Sequence, residues 1–241
     1  MSPIALIKTG GTIARIKPKF GDFEDWFVAG LGVTGVLQVD VFKQQQLPDI
    51  HDLTGILITG SAAMVSDRED WSERTAKWLQ RAVPTGIPVL GVCYGHQLLA
   101  HALGGRVGPN PNGRQMGTVT TNLLESSAND PLLGHLPSSF AAQSSHLEIV
   151  LEPPPEARRL ASTPLDHNFA IRFAENVWGV QFHPEFSGPV MLEYIRLRSE
   201  ILNREGLDSE QLLADTTDTA EALTVLRKFA ELVRLSDRNN H

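Results

Sequence analysis

Short apolar runs alternate along this chain with stretches spaced for helices, and that alternation predicts an α/β fold with a mostly parallel central sheet covered by helices on both faces. The strand candidates are residues 4–8, 36–42, 55–59 and 87–91, with shorter runs near Val119, Phe140, Ile149, Phe169 and Val177. Trp71, Thr75, Trp78, Leu79 and Ala82 fall on one helical face, and a second helix is expected over 94–103, stopped by Gly104-Gly105. The prolines from Pro109 to Pro155 read as short strands and loops rather than a linker. Residues 1–190 are therefore expected to form one domain. Residues 191–241 supply C-terminal helices, with Met191, Tyr194, Ile195, Ile201 and Leu202 on one stripe and Leu223, Leu226, Phe229, Ala230 and Val233 on another. Stripes of this width belong to the molecule's own core; a free tail that docks a partner is the alternative.

A chain of 241 residues that is 41% hydrophobic can bury a core without a metal or disulfide staple. Its single cysteine excludes an internal disulfide, and none of its eight histidines stands in a metal-ligand spacing, so no cofactor is expected. A net charge of −7 with dispersed basic residues argues against nucleic acid or an anionic membrane as the main partner. The N-terminus has no basic stretch ahead of an apolar core, and no run approaches membrane-spanning length, which makes the cytoplasm the expected compartment.

The lone cysteine lies in Gly91-Val92-Cys93-Tyr94-Gly95-His96-Gln97, where an apolar run gives way to a helical pattern. Small residues on both sides let a strand turn sharply into a helix and present the central side chain above the sheet, the geometry of a nucleophile elbow. A thiol at the first turn of a helix is favoured as thiolate by unpaired N–H groups. On this motif alone, a small buried core residue is an equal reading.

A second motif, Gly179-Val180-Gln181-Phe182-His183-Pro184-Glu185, ends a later apolar run. In extended chain, residues two apart point the same way, so His183 and Glu185 can address one site. Histidine can take a thiol proton and return it to a leaving amine, while a carboxylate fixes its tautomer. Without Cys93 the same residues are a strand-ending turn with a solvated carboxylate.

Together the two blocks resemble the class I glutamine amidotransferases, the triad-type family, and within it the stand-alone branch like the GMP synthase glutaminase domain. Ile58-Thr59-Gly60-Ser61, Ala102-Leu103-Gly104-Gly105, Asn110-Pro111-Asn112-Gly113 and Ser145-His146 fall in the family's order, and the likeness covers about residues 1–190. It implies that Cys93 attacks the side-chain amide of glutamine, with His183 and Glu185 completing a catalytic triad, and that ammonia leaves before water cleaves a γ-glutamyl thioester. It further implies an oxyanion hole from the backbone of Tyr94 and of Gly60-Ser61, and a substrate contact from Gln97, for which a helix-surface glutamine is the alternative. Ser145 and His146 belong to the segment that holds the substrate in relatives; a histidine bonded to nearby backbone is the other reading of His146.

Two departures bear on the substrate. Relatives read Ser-His-Gly-Asp where this chain has Ser145-His146-Leu147-Glu148, and Gly-x-Glu where it has Gly113-Arg114-Gln115. A competing signature, Thr9-Gly10-Gly11-Thr12-Ile13-Ala14, matches the threonine-nucleophile block of bacterial-type asparaginases. It reads more simply as the turn closing the first strand, and Asp218 with Glu221 as a helix N-cap and its partner. There is no phosphate-binding G-x-x-x-x-G-K-[ST] loop and no room for a synthetase domain. Three functions follow: an amidotransferase subunit whose ammonia goes to a separate synthetase chain, a self-sufficient hydrolase of γ-glutamyl compounds or peptides, and a non-catalytic module that binds glutamine or a partner.

Overall fold

Five consecutive buried residues, Ile4–Lys8, form the first strand, β1. The computed structural model describes residues 2–239. After β1 come α1 (Lys17–Phe20), α2 (Phe23–Leu31), β2 (Leu37–Asp40), β3 (Gly55–Ile58), α3 (Asp70–Ala82), β4 (Val89–Val92) and α4 (Tyr94–Ala102). The chain continues through β5 (Arg106–Pro109), β6 (Gln115–Leu123), β7 (Ser139–His146), β8 (Glu148–Glu152), β9 (Arg158–Ser162), β10 (Ala170–Ala174) and β11 (Val177–Val180). It ends with α5 (Gly188–Arg204), α6 (Ser209–Asp215) and α7 (Ala220–Asn239).

Nine strands make one mixed sheet in the order β2-β1-β3-β4-β11-β10-β9-β6-β7. The first five are mutually parallel, and the rest extend the sheet from β11 as antiparallel neighbours. β5 and β8 pair separately as a two-stranded ribbon. The parallel centre is apolar at nearly every position because helices cover it on both sides. Side chains alternate between the faces: Leu6, Leu57 and Leu90 join Phe27, Leu226 and Phe229 in one core. Ile7, Ile56, Ile58 and Val89 join Trp78, Leu79, Leu98 and Leu99 in the other. Among the described residues no helix is long and apolar enough to cross a membrane.

α3 buries the five residues of its predicted face. α5 and α7 pack into the first core, α5 starting at Gly188 and so straddling residue 190. Ile201 departs from its expected stripe and is exposed. It stands about 100° round the helix from Leu202, which takes the inward position. Asp218 does not open its own helix: α7 begins at Ala220, and the Asp218 carboxylate instead accepts the N–H of Gly188 at the start of α5, 2.9 Å away. β2 stops at Asp40 because Val41–Lys43 coils into a single 3-10 turn.

The Thr9–Asp22 loop is held by charge. The Asp22 carboxylate is buried, caps α2, accepts the Thr12 N–H at 2.6 Å, and pairs with Lys8 at 2.8 Å and Lys17 at 2.7 Å. Burial opposes its ionisation, but Lys17, Lys8 and these N–H groups outweigh that and lower its pKa to about 2. A depressed carboxylate contributes stability above its ordinary pKa and loses it as pH falls through the folded value. The expected contribution is about 2 kcal/mol, present above pH 4 and lost towards pH 2. Thermal melts across that range should show this component in the native chain and lack it in Asp22→Asn.

Candidate active site

β4 ends at Val92 and α4 begins at Tyr94, so Cys93 makes the turn alone, with φ 50° and ψ −102°. A side chain held at such angles stores about 1–3 kcal/mol of strain, which the surrounding packing must sustain. The flanking glycines permit that packing. A Cβ on Gly91 would fall 2.4 Å from the Gly95 carbonyl oxygen, and one on Gly95 would fall 2.5 Å from that of Ile58. The G-x-C-x-G spacing is thus the condition for α4 to press against β3 and β4.

β11 lies beside β4 in parallel, with Val180 opposite Val92. Adjacent strands are about 4.8 Å apart, so the residues that follow each strand emerge together at the carboxyl edge of the sheet. That register brings His183 to Cys93. The His183 N–H is fixed to the Gln143 carbonyl on β7 at 2.8 Å, and its ring stacks on Phe186 with centroids 4.2 Å apart. His183 Nδ1 donates to Glu185 Oε1 at 2.7 Å, which leaves Nε2 for the thiol, and Cys93 lies within hydrogen-bonding reach of the ring. Burial disfavours the charged ring, but Glu185 and Cys93 outweigh it and raise the His183 pKa. An imidazole so held can carry the proton that leaves a thiol.

β3, the other neighbour of β4, delivers Thr59-Gly60-Ser61 to the same edge. A Cβ on Gly60 would stand 2.9 Å from His183 Cε1 and 3.6 Å from Cys93 Cβ, so the backbone here passes against both side chains. The Ser61 hydroxyl is turned away, donating to the Thr9 carbonyl at 2.8 Å and accepting from the Ala63 N–H at 3.1 Å. Tyr94 likewise directs its side chain into the core, stacking on Trp71 and donating to Ser72 Oγ at 2.6 Å. The side chains of Ser61 and Tyr94 are thus both engaged elsewhere. Thr9 and Thr12 have structural partners: Thr9 Oγ1 bonds the Thr59 and Gly60 carbonyls, and Thr12 Oγ1 bonds Tyr194 OH at 2.6 Å.

A cavity of about 60 Å³ opens beside Cys93, touched by Gln97, Ser145, His146 and Glu148. Gln97 is buried rather than on a helix surface, and Nε2 donates to the Glu148 carbonyl at 2.6 Å and to Gln181 at 3.0 Å. His146 Nδ1 shares a 3.0 Å hydrogen bond with Ser144 Oγ. Burial and His183 push its pKa down to about 3, so it is neutral. Its bond is to a side chain, not to backbone. Glu148 is buried at the cavity wall, accepting the Ser66 N–H at 3.3 Å.

Arg114 and Arg198 also reach this cavity, and sequence reasoning gave neither a role. Arg198 carried a signal: it lies one helical turn after Tyr194, on the flank of an apolar stripe where a surface arginine would be out of place. Among the described residues no group of three or more His, Cys, Asp or Glu side chains could hold a metal ion.

A family model described as glutamine amidotransferase class I matches residues 21–197. The chain belongs to the class I glutamine amidotransferase family. It is similar to a glutamine-hydrolyzing GMP synthase of Aeropyrum pernix, 40% identical over 131 residues that make up 54% of this chain and 24% of the synthase. It is also similar to γ-glutamyl peptidase 3 of Arabidopsis thaliana, 27% identical over 223 residues, 88% of this chain and 87% of the peptidase. The chain thus spans about a quarter of the length of the synthase and most of that of the peptidase. The crystal structure of a glutamine amido transferase from Methylobacillus flagellatus has the same fold, with TM-score 0.75 at 22% identity over 99% of this chain and 95% of that one. The class I fold here is the mixed sheet with its parallel centre.

Proposed function

We propose that this chain hydrolyses the γ-carboxamide of glutamine and related γ-glutamyl amides through a thioester on Cys93. The Cys93 sulfur attacks the amide carbon, forming C–S as the C–N bond breaks, and His183 gives its proton to the departing nitrogen. Water then adds to the thioester with His183 as base, C–O forming as C–S breaks, and glutamate leaves. Backbone N–H groups of Tyr94 and of Gly60-Ser61 face the carbonyl oxygen in both steps, donors typically worth about 3 kcal/mol each. Glu185 orients the imidazole. Glu148 supplies a carboxylate for the substrate's α-ammonium group, with Gln97, Ser145 and His146 bounding the glutamyl chain.

The observation that carries this reading is the convergence of Cys93, the Glu185-bonded His183 and the Gly60 backbone on one point, from three adjacent parallel strands. The family match and the similarity to proteins named for glutamine or γ-glutamyl hydrolysis support it. For the released ammonia, a separate synthetase chain is the proposed acceptor, on the similarity to the glutamine-hydrolyzing GMP synthase of Aeropyrum pernix. Hydrolysis of γ-glutamyl peptides is a second reading, favoured by the space beside His183 treated below. The test is a glutamine-shaped electrophile followed by intact-mass analysis. One adduct is expected, on Cys93 and suppressed by excess glutamine; no adduct, with or without candidate partner chains, would support a non-catalytic binding module instead.

A further inference from the structure

We infer that the cavity on the His183 side of the site receives an amino-acid leaving group, so that γ-glutamyl dipeptides are substrates and Arg198 binds their terminal carboxylate. This rests on the thioester reading above.

The cleft over the catalytic pair has two compartments. Cys93 opens on the smaller, with Gln97 and Glu148. His183 opens on a larger one of about 150 Å³, walled by Thr12, Phe23, Phe186 and Tyr194. Ser61, Ala62, Ser145 and Arg198 stand between them and touch both. The chemistry assigns the halves. The carbon under attack and its acyl chain belong with the sulfur, whereas the nitrogen that departs must meet the proton on His183. The larger compartment is therefore on the leaving-group side.

Its size exceeds what ammonia requires. A water-sized molecule needs roughly 10–15 Å³ on this scale, so the compartment admits a larger group. Its walls are mixed in character. Phe23, Phe186 and Tyr194 put aromatic carbon into a wall that Thr12, Ser61 and Ser145 make polar elsewhere.

Arg198 is the decisive group. It is partly buried, and its guanidinium lies over the Tyr194 ring at 4.9 Å and reaches Ser145 Oγ at 3.4 Å. Among the described residues no carboxylate lies within ion-pair distance of it. Arg114, by contrast, is neutralised by Glu205 through contacts of 2.6 and 2.9 Å. A partly buried guanidinium with no carboxylate beside it keeps donors to spare, and its planar fork suits a carboxylate. A γ-glutamyl dipeptide brings one such carboxylate into the compartment that Arg198 borders. The reaction balances as before: C–S forms, C–N breaks, the amino acid leaves with the proton from His183, and water regenerates the thiol.

The test compares L-glutamine, γ-glutamylphenylalanine and the same dipeptide with its C-terminus amidated, on the wild-type protein and on Arg198→Gln, with thermal melts to confirm folding. Wild type should turn over the free-acid dipeptide with kcat/KM about tenfold above its amide. Arg198→Gln should raise KM for the free acid about tenfold, leave kcat nearly unchanged and erase the preference over the amide. Glutamine turnover without dipeptide turnover overturns the inference and leaves the thioester reading standing. Equal losses on glutamine and dipeptide in Arg198→Gln overturn it too, placing Arg198 with the glutamyl half or the thiolate. Failure of all three substrates, with no electrophile adduct on Cys93, brings down both. Should Arg198→Gln not fold, the acid-to-amide preference of the wild type decides alone, and its absence counts against the inference.

Discussion

Cys93→Ala is expected to lower glutamine turnover by on the order of 10⁴-fold or more while shifting the melting transition little. The thiol packs among Gly60, His183 and the elbow backbone, and alanine retains the Cβ that fills that contact. What it removes is the atom proposed to form the thioester. Cys93→Ser should fall almost as far, because the hydroxyl must be deprotonated by an imidazole that is arranged to hold its proton. Steady-state ammonia release and a thermal melt on each variant check both halves of this expectation. Near-native turnover in purified Cys93→Ala would leave the site without a nucleophile.

His183→Ala should cost a comparable factor, on the order of 10⁴-fold, and the double variant Cys93→Ala/His183→Ala should be little worse than either alone, since groups that act as one unit do not contribute additively. Glu185→Gln separates proton control from nucleophilicity. The carboxylate is a main cause of the raised His183 pKa, and burial alone would lower it. With a neutral amide in its place, His183 gives up its proton at lower pH. The alkaline limb of kcat/KM should therefore move towards acid, with a smaller loss near neutrality of about 10²-fold. An unmoved limb would contradict the orienting role assigned to Glu185.

The sequence exposed the parts of this molecule whose burial is uniform. β3 and β1 up to Ile7 are unbroken apolar runs because both of their faces lie under helices, and α3 announces its inward face through Trp71, Thr75, Trp78 and Leu79. β5 and β9 escaped notice because Arg106–Pro109 and Arg158–Ser162 are short, polar and half exposed, and become strands only through pairing with β8 and with β6 and β10. α2 was overlooked although Asp22 and Asp25 form a capping box visible as two acids three residues apart. The site divides in the same way. Cys93, His183 and Glu185 carry motifs because the chemistry proposed for them and the backbone geometry of the elbow demand particular residue types at fixed spacing. Arg198 and the aromatic wall do not, because a leaving-group compartment is assembled from α2, α5 and the loop after β1, which meet only in three dimensions.

Rapid acid quench of the wild-type enzyme during glutamine turnover, followed by mass analysis of the peptide containing Cys93, tests the central claim most directly. The account predicts a γ-glutamyl adduct on that cysteine within the first turnover, decaying as glutamate appears. Sustained turnover with the Cys93 peptide unmodified at every quench time would contradict it.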